Sequence, residues 1–180
     1  MARFWLALVL CSCTRAPLIP APPDIRSHAI IIGDTLDQAI CTGVVIAPHL
    51  ALTAAHCIER ARNAEGWTIA QVNYPWPGKD IALVEVTHLF RAYPAVMRHD
   101  NSGGSLRLAG YGCSHMTKLA VRPLERDGLR SELGYMRGKI CPGDSGSGVF
   151  DSAGYLVAIG TAFFTLTPGW RDGALIAWLD

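Results

Sequence analysis

The chain is poor in charge. Asp, Glu, Lys and Arg make up only 17% of its 180 residues, the net charge is +1, and the basic residues are scattered rather than clustered. Nucleic acid or an acidic membrane surface as main partner would call for a basic stripe or patch, so neither is favoured. No apolar run approaches the roughly 20 residues that a bilayer-spanning helix needs. Long helical periodicity and internal sequence repeats are also missing. What the chain does have is apolar material: half of its residues are hydrophobic, ample for a core and far from the disordered class.

Residues 1–13, "MARFWLALVLCSC", read as an export signal, with one Arg, an apolar run from Phe4 to Leu10 and then small residues. "LCSC" resembles a bacterial lipoprotein cleavage box, which would make Cys13 the lipidated first residue and attach the protein to a membrane. A plain secretory signal is the rival reading. The expected location is therefore the periplasm or a lipid anchor, alternatively secretion. Residues 14–26, "TRAPLIPAPPDIR", carry four prolines and no periodic pattern, as in a semi-extended tether. The folded domain is then 27–180. Within it short runs such as "HAIIIGD", "TGVVIAP", "WTIAQVNY", "DIALVEV" and "YLVAIGTAF" are separated by Gly, Pro, Asn and Asp. That spacing predicts an all-β barrel or sandwich. Only the closing "GALIAWLD" has helical spacing. Cys41, Cys57, Cys113 and Cys141 are an even set in an exported chain, and four cysteines allow three pairings.

Three sites stand out. "CPGDSGSG", 141–148, surrounds Ser145 with an acid and glycines. Such glycines let backbone N–H groups converge beside a nucleophile, although Asp, Ser and Gly also make ordinary turns. "LTAAHCIE" sets His56 beside Cys57 just after an apolar run, and "KDIALVEV" puts Asp80 at the head of another. Taken singly, His56 reads as a packed or surface residue and Asp80 as a turn residue. His28, His49, His88, His99 and His115 keep that plain reading. A zinc site from Cys41, His56 and Cys57 lacks a close ligand pair at the usual spacing, so no metal and no cofactor are expected.

"TAAHC", "DIAL" and "GDSGSG", in that order, resemble the chymotrypsin/trypsin family of serine proteases, from about Ile30 to the C-terminus. The resemblance implies two six-stranded antiparallel β-barrels with a short C-terminal helix at "ALIAWL". It implies a serine endopeptidase acting on protein or peptide substrates; a monomer is expected, though the sequence itself does not set the oligomeric state. Ser145 would be the nucleophile, His56 the general base and acid, and Asp80 the group that fixes the imidazole. The N–H groups of Gly143 and Ser145 would form the oxyanion hole. Motif position implies a Cys41–Cys57 disulfide, which leaves Cys113 and Cys141 for each other. "AGYG", 109–112, resembles the strand opening the second barrel, and "TPGW", 167–170, the segment closing the specificity pocket.

The chain also departs from the family. Loops between His56, Asp80 and Ser145 are cut, which removes carriers of extended substrate selection. Lys139, six residues before Ser145, falls at the resembling pocket floor, where a buried ammonium needs a partner. Phe163, two residues after Thr161, falls where many relatives have a wall glycine, and Gly169 lies in the closing segment. The Lys points to acidic and the Phe to small side chains at the cleavage site. A non-catalytic binding module on the same fold, or an esterase-like acyl hydrolase using the same triad, are the alternatives. "AIIIGD" reads as the first strand itself rather than as a segment freed by cleavage, so Asp144 lacks the new N-terminal amine that pairs with this acid in many relatives. N-terminal sequencing of active protein is expected to find no start at Ile30, Ile31 or Ile32; such a start would refute the reading.

Overall fold

Short apolar runs become strands because alternate side chains can leave water on one face. In "ALVEV", Ala82, Val84 and Val86 are buried while Leu83 and Glu85 are half-buried. The computed structural model describes residues 24–35, 38–99, 104–112, 118–126, 134–164 and 173–179. Among them, twelve strands close into two barrels. The first contains β1 (Ala29–Thr35), β2 (Gln38–Ala47), β3 (Leu50–Thr53), β4 (Asn63–Ala64), β5 (Trp67–Asn73) and β6 (Ala82–Val86), in the order β1-β2-β3-β6-β5-β4. The second contains β7 (Leu106–Gly110), β8 (Ala120–Arg126), β9 (Tyr135–Arg137), β10 (Gly148–Phe150), β11 (Leu156–Phe164) and β12 (Gly173–Trp178). Starting from its own first strand, this ring runs β7-β8-β9-β12-β11-β10, the same winding as the first. The two windings match although no sequence repeat links them. Closure protects the strand edges that would otherwise seek partners.

Each barrel has its own interior, and a third apolar layer joins them. Ile30, Ile32, Val45, Ala51 and Val84 fill the first barrel. Leu106, Leu108, Leu124, Met136, Val149 and Ile176 fill the second. The joining layer takes Val44 and Leu52 from the first barrel and Ala109, Phe150, Leu156 and Ile159 from the second, with Ile25 and Ile81. Neighbouring Val44 and Val45 therefore face different cores. This is why "GVVI" shows no polar alternation: both faces of β2 are covered. Ile25 opens a 3-10 turn, Ile25–His28, whose first N–H groups are capped by Asp24.

The C-terminal segment corrects an expectation. "GALIAW" is β12, not a helix. Eight residues are too few to nucleate a stable helix alone, and the second barrel needs one more strand to close. β12 supplies it, pairing with β11 from Ala158↔Trp178 to Phe164↔Gly173 and with β9 at Leu175↔Tyr135.

Because Phe150 is 1% exposed and sits in the joining layer, Phe150→Ala is expected to cost about 3–5 kcal/mol. Urea unfolding should show a lower midpoint with both barrels melting in one transition. Two separated transitions in the wild-type protein would contradict a shared layer.

Candidate active site

His56 lies on a single helical turn, α1 (Ala55–Ile58), that follows β3. Ala54 at its start supplies no side-chain cap, so the first N–H groups need an outside acceptor. Asp80, just ahead of β6, provides one: its Oδ1 accepts from the His56 backbone N–H at 2.9 Å. Its Oδ2 lies 2.7 Å from His56 Nδ1. A carboxylate only accepts, so this contact puts the imidazole proton on Nδ1 and leaves Nε2 with its lone pair. The Asp80 hydrogen bond raises the His56 pKa against the opposing effect of burial. Burial alone would push the Asp80 carboxyl up, but the hydrogen bonds from the His56 ring and backbone outweigh it and hold it below the ordinary range.

Ser145 sits in the loop before β10. Its backbone is clasped from the first barrel: Thr42 N–H donates to Ser145 O at 2.9 Å. Gly146 has φ +84, and a Cβ there would lie 2.0 Å from Thr42 O and 2.1 Å from Thr53 Oγ1. Only glycine fits such a close approach. The loop therefore docks against Thr53 and Ala54, the residues that lead into His56. The Ser145 hydroxyl donates to Thr161 O at 3.3 Å, and no hydrogen bond joins it to His56 among the described residues. Asp144 N–H donates to Cys141 O at 3.0 Å. On either side of it, the half-buried Gly143 and Ser145 have N–H groups with no acceptor among the described residues. Gly143 has φ +95, a left-handed backbone setting that favours glycine.

The loop's interior is a buried ion pair. Asp144 has no exposed surface. Its carboxylate accepts from Gly112 N–H at 2.8 Å, from Cys141 N–H at 2.9 Å and from the Arg122 guanidinium. Arg122 comes from β8 and also reaches Gly112 O. The sequence reading missed Arg122. The one available signal was that an acid destined for burial requires a cation, and nothing along the chain singles out this arginine. Thr42 was missed as well. Its N–H and hydroxyl both meet the Ser145 loop, through Ser145 O and Gly143 O.

Cys41 and Cys57 form a disulfide, with Cα atoms 6.2 Å apart. That bond consumes both sulfurs, so neither is a thiolate ligand and the Cys41–His56–Cys57 cluster is a cross-link beside an imidazole. Cys141 is also disulfide-bonded, while Cys113 lies outside the described residues. The Lys139 side chain, two residues past β9, is exposed, so the cost of a buried ammonium does not arise there. Thr161 is 3% exposed, and its hydroxyl donates to Leu175 O at 3.2 Å. Phe163 pairs with Ala174 in the β11–β12 ladder. Gly169, the "TPGW" segment and Cys13 lie outside the described residues.

The family model for the trypsin-like peptidase domain matches residues 41–159. No curated protein sequence matches the chain. Among solved structures, neuropsin, a serine protease expressed in the limbic system of mouse brain, is similar at 16% identity and a TM-score of 0.65, covering 86% of this chain and 90% of its own. Rv3671c from M. tuberculosis H37Rv, as the inactive form of a serine-to-alanine mutant, is similar at 18% and 0.63, covering 86% and 82%. A scabies mite inactivated protease paralogue, S-I1, is similar at 16% and 0.63, covering 86% and 92%. At these identities the shared property is the fold.

Removing the guanidinium should leave an uncompensated buried carboxylate. Arg122→Met is expected to lose about 3–5 kcal/mol of unfolding free energy in urea, and adding Asp144→Asn should restore part of it. An Arg122→Met protein as stable as wild type would show that the pair does not hold the loop.

Proposed function

The chain belongs to the trypsin-like peptidase family, and on that footing we propose that it is an exported serine endopeptidase that cleaves peptide bonds through an acyl-enzyme on Ser145. The observation that carries this reading is the double hydrogen bond from His56 to Asp80, which leaves Nε2 as a base. In the reaction the Ser145 hydroxyl leaves Thr161 O, gives its proton to Nε2, and its oxygen bonds to the scissile carbonyl carbon. The oxyanion is met by the N–H groups of Gly143 and Ser145, each such donor being worth about 10²–10³-fold in rate. The protonated imidazole, stabilised by Asp80, then gives its proton to the leaving amine. Water repeats the sequence on the ester and frees Ser145. Export rests on residues 1–13, including Cys13 as a lipid attachment point, and the Cys41–Cys57 disulfide accords with an oxidising compartment.

A second reading, a non-catalytic binding module, is favoured by one feature: the Ser145 hydroxyl rests on Thr161 O rather than on the imidazole. A fluorophosphonate probe separates the two. The endopeptidase reading expects labelling that Ser145→Ala abolishes, together with cleavage of casein. A binding module gives neither, and an acyl hydrolase labels but turns over esters alone.

The pH dependence has a defined sign. His56 must be neutral to accept the proton, and its pKa is raised. The acidic limb of kcat/KM is therefore expected to have its midpoint above the ordinary imidazole value of about 6.5, with activity lost as pH falls through it. A midpoint clearly below that value would contradict the Asp80 pairing.

A further inference from the structure

The Gly143 N–H can stabilise an oxyanion only if residue 143 is held still, and glycine is the residue least able to hold itself. The fully buried Thr42 side chain touches that residue directly: Oγ1 donates to Gly143 O at 2.7 Å. The same oxygen accepts from Tyr111 N–H at 3.1 Å. A hydroxyl has one proton, so acceptance from Tyr111 commits that proton to Gly143. Thr42 O is itself fixed by the Thr53 hydroxyl at 2.8 Å. A chain of directed bonds thus runs from β3 and the end of β7 through one threonine into the loop.

Resting on the protease function proposed above, we infer that Thr42 is a positioning residue for the oxyanion hole: its hydroxyl holds the Gly143 carbonyl, and so the peptide that follows Gly143, which leaves the Gly143 N–H only the rotation about its own φ. The backbone contact from Thr42 N–H to Ser145 O is a separate restraint that any residue at 42 would supply. The hydroxyl's contribution is therefore open to isolation by mutation.

Thr42→Val keeps the branched shape and the backbone N–H but removes Oγ1, while Thr42→Ser keeps Oγ1 and removes the methyl. Kinetics on a peptide substrate, with folding checked by thermal melting, should show kcat in the valine protein lowered by about 10-fold or more, approaching the loss of a whole oxyanion donor. KM should stay unchanged, because the interaction is made only in the transition state. The serine protein should retain kcat. A merely structural threonine would lower the melting temperature of either variant without splitting kcat from KM. Equal kcat in the valine and wild-type proteins, or equal losses in valine and serine, would overturn the inference. Should the valine protein not fold, Thr42→Ala against Thr42→Ser makes the same comparison. Wild-type protein that neither labels with fluorophosphonate nor cleaves peptide overturns the protease function itself, and with it any role for Thr42 in that reaction. An active wild type with an unaffected valine variant overturns the Thr42 role alone.

Discussion

A carboxylate with no exposed surface stands immediately before Ser145, and the shape of the reactive loop follows from satisfying it. Left alone, the Asp144 charge would cost several kcal/mol. Three donors meet it: the Gly112 and Cys141 amides and the Arg122 guanidinium. Wrapping the chain around this buried acid turns Asp144 inward. The amides on either side, Gly143 and Ser145, have no acceptor among the described residues. The outward face of this buried ion pair is thus where the proposed oxyanion hole lies. Arg122 belongs to β8, so the partner of this acid comes from within the second barrel.

The second constraint is that the candidate residues come from different barrels. His56 and Asp80 belong to the first, and Ser145 to the second. Two rigid bodies keep such residues in register only if their joint is stiff. The joint runs through two adjacent positions on β2. Cys41 is bonded to Cys57, next to His56, and Thr42 is bonded to Ser145 O and Gly143 O. One dipeptide therefore connects the imidazole side to the hydroxyl side, while the apolar layer around Phe150 and Leu52 resists hinge motion behind it.

Local information carried the sequence reading as far as it went. Strand-forming runs are local, so the all-β class was legible from them, while the strand that opens the second barrel and the Cys41–Cys57 bond were legible by resemblance to the family. His56, Asp80 and Ser145 were singled out by motif, and the first two do meet. What was not legible depends on partners far apart in the chain. Arg122 finds Asp144 across 22 positions and Thr42 finds Gly143 across 101, with neither residue marked by its neighbours. Position relative to a motif likewise does not say how buried a side chain is: Lys139 is exposed. The terminal "GALIAW" has helical spacing, but β9 and β11 offer it a full set of backbone partners. Tertiary pairing overrides weak local preference in so short a segment.

The resting place of the Ser145 proton bears on whether the site is poised or blocked. Its bond to Thr161 O is 3.3 Å long, beyond the usual O–H···O range of about 2.5–3.0 Å. Even a well-formed neutral hydrogen bond contributes only about 0.5–1.5 kcal/mol net, so this one holds the hydroxyl weakly. On the endopeptidase reading proposed above, an imidazole whose basicity Asp80 raises is the better acceptor, so this weak hold on the hydroxyl does not argue for a blocked site.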